Sequence, residues 1–175
     1  MPASGPTSRP NWDDIWNAVA ATMSTHSLCV RAKVGAVVVT DANRVVAVGY
    51  NGPPQGFTHA DAPCTQWCPR AAGEETRLGL TNLGRILDPE YNDCPALHAE
   101  ANALLVCDRV DREGGTIYVN GHVCYNCAKL IANSGLDCVV VGLDPGERDR
   151  AYREPSKSYE FLERCGVAVI ISEKK

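Results

Sequence analysis

No run of apolar residues in this chain approaches the ~20 needed to cross a bilayer, so no membrane partner is expected. Residues 1–10 are rich in Pro, Ser and Gly and carry no apolar stretch. They do not read as a secretory leader but as a short disordered tail, with a single domain over 11–175. A basic excess is missing as well. Seventeen Lys and Arg face 21 Asp and Glu, a formal charge of −4, which argues against nucleic acid as a partner. A small anionic ligand held by a few arginines stays compatible with that charge. No internal repeat is visible. What these absences leave is a protein of the cytoplasm, 175 residues long, with 45% hydrophobic and 22% charged residues, the balance of one globular domain.

Cysteine, by contrast, is abundant. There are nine, an odd number with no leader, and in a reducing compartment clustered cysteines serve more often as metal ligands than as disulfides. Cys29, Cys107, Cys138 and Cys165 stand singly in apolar or helical surroundings and read as small buried hydrophobes. Cys64, Cys68, Cys94, Cys124 and Cys127 stand in loops or at paired spacing.

Along the chain, Asn11 to about Thr25 reads as a helix capped by Asn11, with Trp12, Ile15, Trp16, Val19 and Met23 as its core stripe. Val34–Thr40 and Val45–Gly49 read as a hairpin around Asp41–Asn43. Arg31 and Lys33, just ahead of it, are either solvated charges or a phosphate contact. Two prolines and three glycines in residues 49–56 force a defined loop containing Asn51, a structural turn or a binding loop. Residues 59–95 are irregular. There Cys64, Cys68 and Cys94 with His59 would make a closed Cys3His structural zinc site, the tie that so long a loop calls for. Helices are then expected over 98–109 (Leu104 and Leu105 inward), 124–134 and 156–165. Strands are expected at 116–119, 138–143 and 167–172. The alternation predicts an α/β fold: a five-stranded mixed sheet between helices, a three-layer α/β/α arrangement.

The chemistry concentrates in His98, Glu100, Cys124 and Cys127. One imidazole and two thiolates give three ligands to Zn2+ and leave a fourth position for water, the composition of a catalytic zinc site. Zinc brings the pKa of bound water from ~15.7 towards ~7. Glu100, two residues from His98, does not share that ligand's direction on a helix. It is placed to take the proton of the water and pass it on, as hydrolytic deamination requires of one group acting as base and then as acid.

H-A-E-x-N-A at 98–103, C-x-x-C-A-K at 124–129 and G-Y-N-G-x-P at 49–54 resemble the deoxycytidylate (dCMP) deaminase family of the cytidine deaminase superfamily. The resemblance covers about residues 12 to 172, with Val34–Val37 upstream and Ser134–Gly135 downstream. It implies hydrolysis of dCMP to dUMP and ammonia, a zinc-bound hydroxide attacking C4 with Glu100 as proton shuttle. It implies contacts of Asn51 with the deoxyribose, of the Ala99 backbone with the pyrimidine and of Arg31 with the 5′-phosphate; Arg148, Arg150 and Arg153 are further candidates for the last. Many members are hexamers activated by dCTP and inhibited by dTTP near the G-Y-N-G loop. Gly49, Tyr50 and Gly52 are therefore candidate effector residues, with Mg2+ accompanying a nucleotide effector. Some bacterial members carry extra cysteines where Cys64, Cys68 and Cys94 stand. The family usually has proline before its C-x-x-C; here Val123 follows Asn120-Gly121-His122. That change bears on the pocket wall, and His122 is either a pocket or an exposed loop residue. Competing readings are a deaminase of CMP, of a 5-substituted dCMP or of a tRNA base, and a non-catalytic zinc module, which would have no use for Glu100.

Overall fold

Strand β1 (Gly35–Val39) is buried along its whole length, as its unbroken apolar run requires of a strand covered on both faces. The computed structural model that shows this describes residues 9–57, 64–66, 68, 94–143 and 155–173. Strand β2 (Val45–Tyr50) returns antiparallel to β1, and β3 (Thr116–Val119) pairs antiparallel on its other side. Beyond lie β4 (Cys138–Leu143) and β5 (Ala168–Glu173), each parallel to its neighbour. The sheet is therefore mixed, five-stranded and ordered β2-β1-β3-β4-β5.

Side-chain alternation along these strands feeds two cores. On one face Val37, Val39, Tyr118 and Val140 meet Ala20, Trp16 and Val19 of α1 (Trp12–Ser24). On the other, Ala36, Val38, Ile117, Val119, Val139 and Val141 meet Ala99 and Ala103 of α2 (Ala99–Leu105), Ala128 and Ile131 of α4 (Tyr125–Ala132) and Leu162 of α5 (Pro155–Arg164). Helices thus cover both faces, in the three-layer arrangement expected.

Several local expectations are corrected. The helix expected over 98–109 is two: α2, and a single turn α3 (Arg109–Arg112). Arg112 closes the break, its guanidinium donating to the carbonyls of Leu104, Cys107 and Ser134. With the helix ending there, Leu104 packs on the core but Leu105 is 73% exposed. In α1 the fully buried face is Asn17, Ala20 and Ser24, because small residues let the helix lie close; the expected stripe is half-buried, and Trp12 stacks on Trp16 at the surface. Cys165 is exposed, and Cys29, Cys107 and Cys138 are half-buried rather than core. Helix α5 starts at Pro155, one residue before the expected cap Ser156.

Candidate metal centre and its surroundings

His98 and Cys124 occupy equivalent places on two helices. Each is the N-cap residue in extended conformation, of α2 (φ −74°, ψ 156°) and α4 (φ −75°, ψ 162°). Both helices lie on the same sheet face and touch, so their starts converge. Cys127 is in the first turn of α4. Nδ1 of His98 lies 3.3 Å from Cys124 Sγ and 3.4 Å from Cys127 Sγ. The Cys127 N–H donates to Cys124 Sγ at 3.4 Å. Among the described residues these three form the group of metal-competent side chains whose donor atoms all lie within 4.8 Å of one another.

The donor set fits zinc. Bonds of ~2.0 Å to nitrogen and ~2.3 Å to sulfur at a tetrahedral angle separate N from S by roughly 3.5 Å, the spacing found here. Hydrogen bonding from Cys127, then from His98, pulls the Cys124 thiol down to about 3 against the opposing effect of burial. The same bond to Cys124, with burial, pushes Cys127 upward. A thiol must give up its proton to bind a metal, and the contacts of Cys124 favour that loss.

Glu100 stands off this ligand group but against it. It is 2% exposed, and its carboxyl and the Cys127 thiol are close enough to perturb one another. Burial raises its pKa, opposed by the charge of His98. A carboxyl kept dry beside a three-ligand centre is suited to take up and release a proton there.

The glycine-rich loop is tied to this centre. The Asn102 side chain donates to the Tyr50 carbonyl at 2.8 Å, and Gly52 exchanges backbone bonds with Leu97 at 3.1 and 2.9 Å. A Cβ on Gly49 would strike the Ala99 carbonyl and the Ala103 nitrogen, so α2 can lie this close only over glycine. The Tyr50 ring meets His26 edge-on. Gly49, Tyr50 and Gly52 each therefore hold the start of α2. Asn51 is equally engaged: its side chain accepts from Val34 N–H at 2.8 Å and donates to the Ala32 carbonyl at 2.9 Å. Those bonds leave one amide hydrogen of Asn51 for any ligand. Arg31 is half-buried and Lys33 exposed beside that loop, while Arg148, Arg150 and Arg153 lie outside the described residues. Ala99 is fully buried, and Val123 is buried in the main core.

The second cysteine set contains one thiol pair. Cys68 and Cys94 sulfurs are 3.9 Å apart. Cys64 opens a 3-10 turn, accepts the Val30 N–H on its sulfur at 3.2 Å, and has Cys29 near enough to raise its thiol. The turn ties Cys64 to that pair, since Cys68 N–H donates to the Cys64 carbonyl at 2.7 Å. Bonding to Cys68, then burial, raises the Cys94 thiol, which also feels Cys29. Cys29 thus belongs with the loop cysteines and not, as its lone position suggests, with packing residues. His59 lies outside the described residues.

Residues 10–143 match the family described as the cytidine and deoxycytidylate deaminase zinc-binding region. The chain belongs to that family. It is 44% identical over 133 residues to the deoxycytidylate deaminase of Mycobacterium phage D29, covering 76% of this chain and 95% of that one. Against the deoxycytidylate deaminase of Saccharomyces cerevisiae it is 32% identical over 166 residues, 94% of this chain but 46% of the yeast protein. The chain thus spans less than half of that longer relative. Among solved structures it superimposes on the dCMP deaminase of cyanophage S-TIM5 in complex with dCMP and dUMP, with a TM-score of 0.62, 25% identity, and coverage of 94% of this chain and 99% of that one. Beyond the deaminase family's motif residues, two side chains escape a reading by spacing. Cys29 meets Cys64 across 35 positions, and Tyr159 reaches His122 across 37, with Nδ1 2.8 Å from the hydroxyl. Neither carries a local signal.

Proposed function

We propose that this deaminase hydrolyses dCMP to dUMP and ammonia. The observation that carries the reading is the buried carboxyl of Glu100 set against, but outside, a His-Cys-Cys group. A structural zinc site would have no use for it. The phage relative, 95% of which this chain covers, and the neighbour whose structure holds dCMP and dUMP support the substrate. His98, Cys124 and Cys127 would hold Zn2+, which when bound acts as a Lewis acid and makes water available as a nucleophile near neutral pH. Glu100 holds the proton taken up and returns it to the ring nitrogen and then the departing amine. The Ala99 backbone faces the pyrimidine, the remaining amide hydrogen of Asn51 the sugar, Arg31 the 5′-phosphate, and Val123 forms the pocket wall. A deamination panel of dCMP, CMP and 5-methyl-dCMP, each with and without dCTP, tests this. Conversion of dCMP above the others is expected; no conversion of any would overturn the reading.

A second Zn2+ belongs to this reading, held by Cys64, Cys68 and Cys94 with His59; the Cys68 and Cys94 sulfurs, 3.9 Å apart, support it. Zinc analysis is expected to give near two ions per wild-type chain and near one after Cys94→Ser. Near one in the wild type would remove the second site. The remaining parts of the reading rest on family likeness. Homo-oligomerisation, up to a hexamer, is supported by the exposed Leu105, Val106 and Val110 beside the α2–α3 break. Regulation by dCTP and dTTP, with Mg2+, is supported by the G-Y-N-G loop bonded to the site. A cytoplasmic setting is supported by nine cysteines that form no disulfide with one another. Among the described residues no helix is long and apolar enough to cross a membrane.

A further inference from the structure

Two asparagines repeat one bonding pattern at the end of the sheet where β1 begins and β2 and β3 finish. Asn51 follows β2. It donates its N–H to the Val34 carbonyl at 3.0 Å and accepts the Val34 N–H on its side-chain oxygen at 2.8 Å. Asn120 follows β3 and treats the next residue of β1 in the same way. Its N–H donates to the Gly35 carbonyl at 3.2 Å, and its Oδ1 accepts the Gly35 N–H at 2.6 Å. In a regular antiparallel pair, facing residues exchange both bonds through their backbones. Here a side-chain oxygen takes the place of one backbone carbonyl. Each chain can therefore turn away from the sheet at once and still be bonded to β1. The carbonyl that Asn51 releases by this turn accepts from the fully buried Ser27 Oγ at 2.8 Å.

The two departing segments are the ones that build the site. Gly52, next to Asn51, is bonded to Leu97, next to His98. Residues 121–123, next to Asn120, lead to Cys124, the N-cap of α4. A Cβ on Gly121 would meet Val34 Cγ2 at 3.6 Å, so the second segment also rests on the side chain that the first one holds by its backbone. Val34 and Gly35, two consecutive residues on the central strand β1, thus give both segments one frame. The asparagines differ in exposure. Asn51 is half-buried beside Arg31 and keeps an amide hydrogen for a ligand, whereas Asn120 is 8% exposed. Its bond to Gly35 lies within buried protein, where a donor left without its partner is costly.

We propose that Asn120 is a positioning residue for the deamination: by holding Gly35 as Asn51 holds Val34, it fixes the segment that delivers Cys124 relative to the segment that carries Asn51, and so sets the metal centre against the place of the sugar. The kinetic half of this rests on the dCMP reading above; the metal half does not.

Asn120→Ala removes the acceptor, and Asn120→Asp keeps an acceptor oxygen at the same place. Tyr118→Phe, two residues back on β3, serves as a control that loses a hydrogen bond on the face towards α1. In the full-length zinc-loaded protein, Asn120→Ala is expected to lower kcat for dCMP on the order of tenfold, since small misplacements at a reacting centre are costly, and to raise KM severalfold. Asn120→Asp is expected to stay within threefold of wild type in both, and Tyr118→Phe within twofold. Independently of turnover, the Gly35 amide is expected to exchange with solvent about fivefold faster in Asn120→Ala, the loss of one hydrogen bond. The visible spectrum of the cobalt-substituted protein is expected to shift in Asn120→Ala and to return towards wild type in Asn120→Asp. Should Asn120→Ala not fold, the same readings on Asn120→Ser, whose oxygen is one bond shorter in reach, decide in its place. An unchanged cobalt spectrum overturns the proposal whatever the substrate, even where Gly35 exchange is faster, because Asn120 would then hold the strand alone. A shifted spectrum that Asn120→Asp does not restore overturns it too, since the acceptor would not be the cause. A shifted spectrum with kcat and KM within twofold of wild type overturns the kinetic half. If no nucleotide is deaminated by the wild type, the dCMP reading fails alone, and exchange and spectrum still decide the role of Asn120.

Discussion

Asn11 and His98 both cap helices that lie tight against the sheet, on opposite faces. The means of approach is shared. A Cβ on Gly35 would strike the Ala20 carbonyl and the Ser24 nitrogen of α1, just as one on Gly49 would strike α2. What differs is what the cap side chain does. The Asn11 side chain accepts the Asp14 N–H at 2.7 Å and is used up in closing its own helix. His98 makes no side-chain cap bond and turns its imidazole to Cys124 and Cys127. One face therefore spends its polar groups on stability, while the other leaves them for chemistry. Substitutions on the two faces should separate accordingly.

The largest separation is expected at Glu100. Glu100→Gln keeps size and most hydrogen bonding but cannot carry the proton, and general acid–base contributions run to about 10²–10⁴ in rate. The expected outcome is a loss of that size in kcat with zinc content and thermal stability near wild type. Retention of more than a tenth of the activity would deny Glu100 its role.

The two glycines divide next. Gly49→Ala and Gly35→Ala each force a helix off the sheet, at a cost of about 1–3 kcal/mol, or roughly 2–12 °C in Tm for a chain of this size. Only Gly49→Ala displaces Ala99 and the start of α2, so it should also lower activity per folded molecule, by on the order of tenfold or more. Gly35→Ala should lower Tm while the folded fraction turns over at the wild-type rate. Equal activity losses in the two variants would mean that the faces are coupled, against the division drawn here.

How much of this was legible in the sequence follows the range of the interactions. The five strands, the cap at Asn11 and the stops at Gly135 and Gly166 (φ +91° and +83°) were readable because β-branched runs, side-chain caps and left-handed glycines act within a few residues. His98, Glu100, Cys124 and Cys127 were readable for a related reason. Two short motifs each start a helix, and a zinc ion demands three such ligands. The break between α2 and α3 was missed because Arg112 closes it through carbonyls of residues 104, 107 and 134, a tertiary arrangement. Cys29 and Tyr159 were missed for the same cause, since their partners lie 35 or more positions away. Asn51 shows the converse. It was legible as important, yet its side chain is largely occupied in bonding residues 32 and 34.

The smallest effect should come from Tyr118, which faces α1. Its hydroxyl donates to Asp13 Oδ1 at 2.7 Å, tying β3 to the first turn of α1. Burial and then this bond to Asp13 raise the phenol above its ordinary range. An unfolded chain loses that proton near pH ~10, whereas the native state still holds it. The stabilisation is therefore fully present below pH ~10 and is lost as pH rises from there towards the higher native value. Tyr118→Phe should cost about 1 kcal/mol at pH 7, a few degrees of Tm, with kcat unchanged because the bond lies on the face away from His98. Thermal melts at pH 7, 9 and 10.5 should show the gap between wild type and variant constant over the first two and narrower at the third. A gap that stayed constant to pH 10.5 would mean that the phenol is not held neutral by the fold. A fall in kcat at neutral pH would carry more weight, because it would show that the α1 face also supports the chemistry.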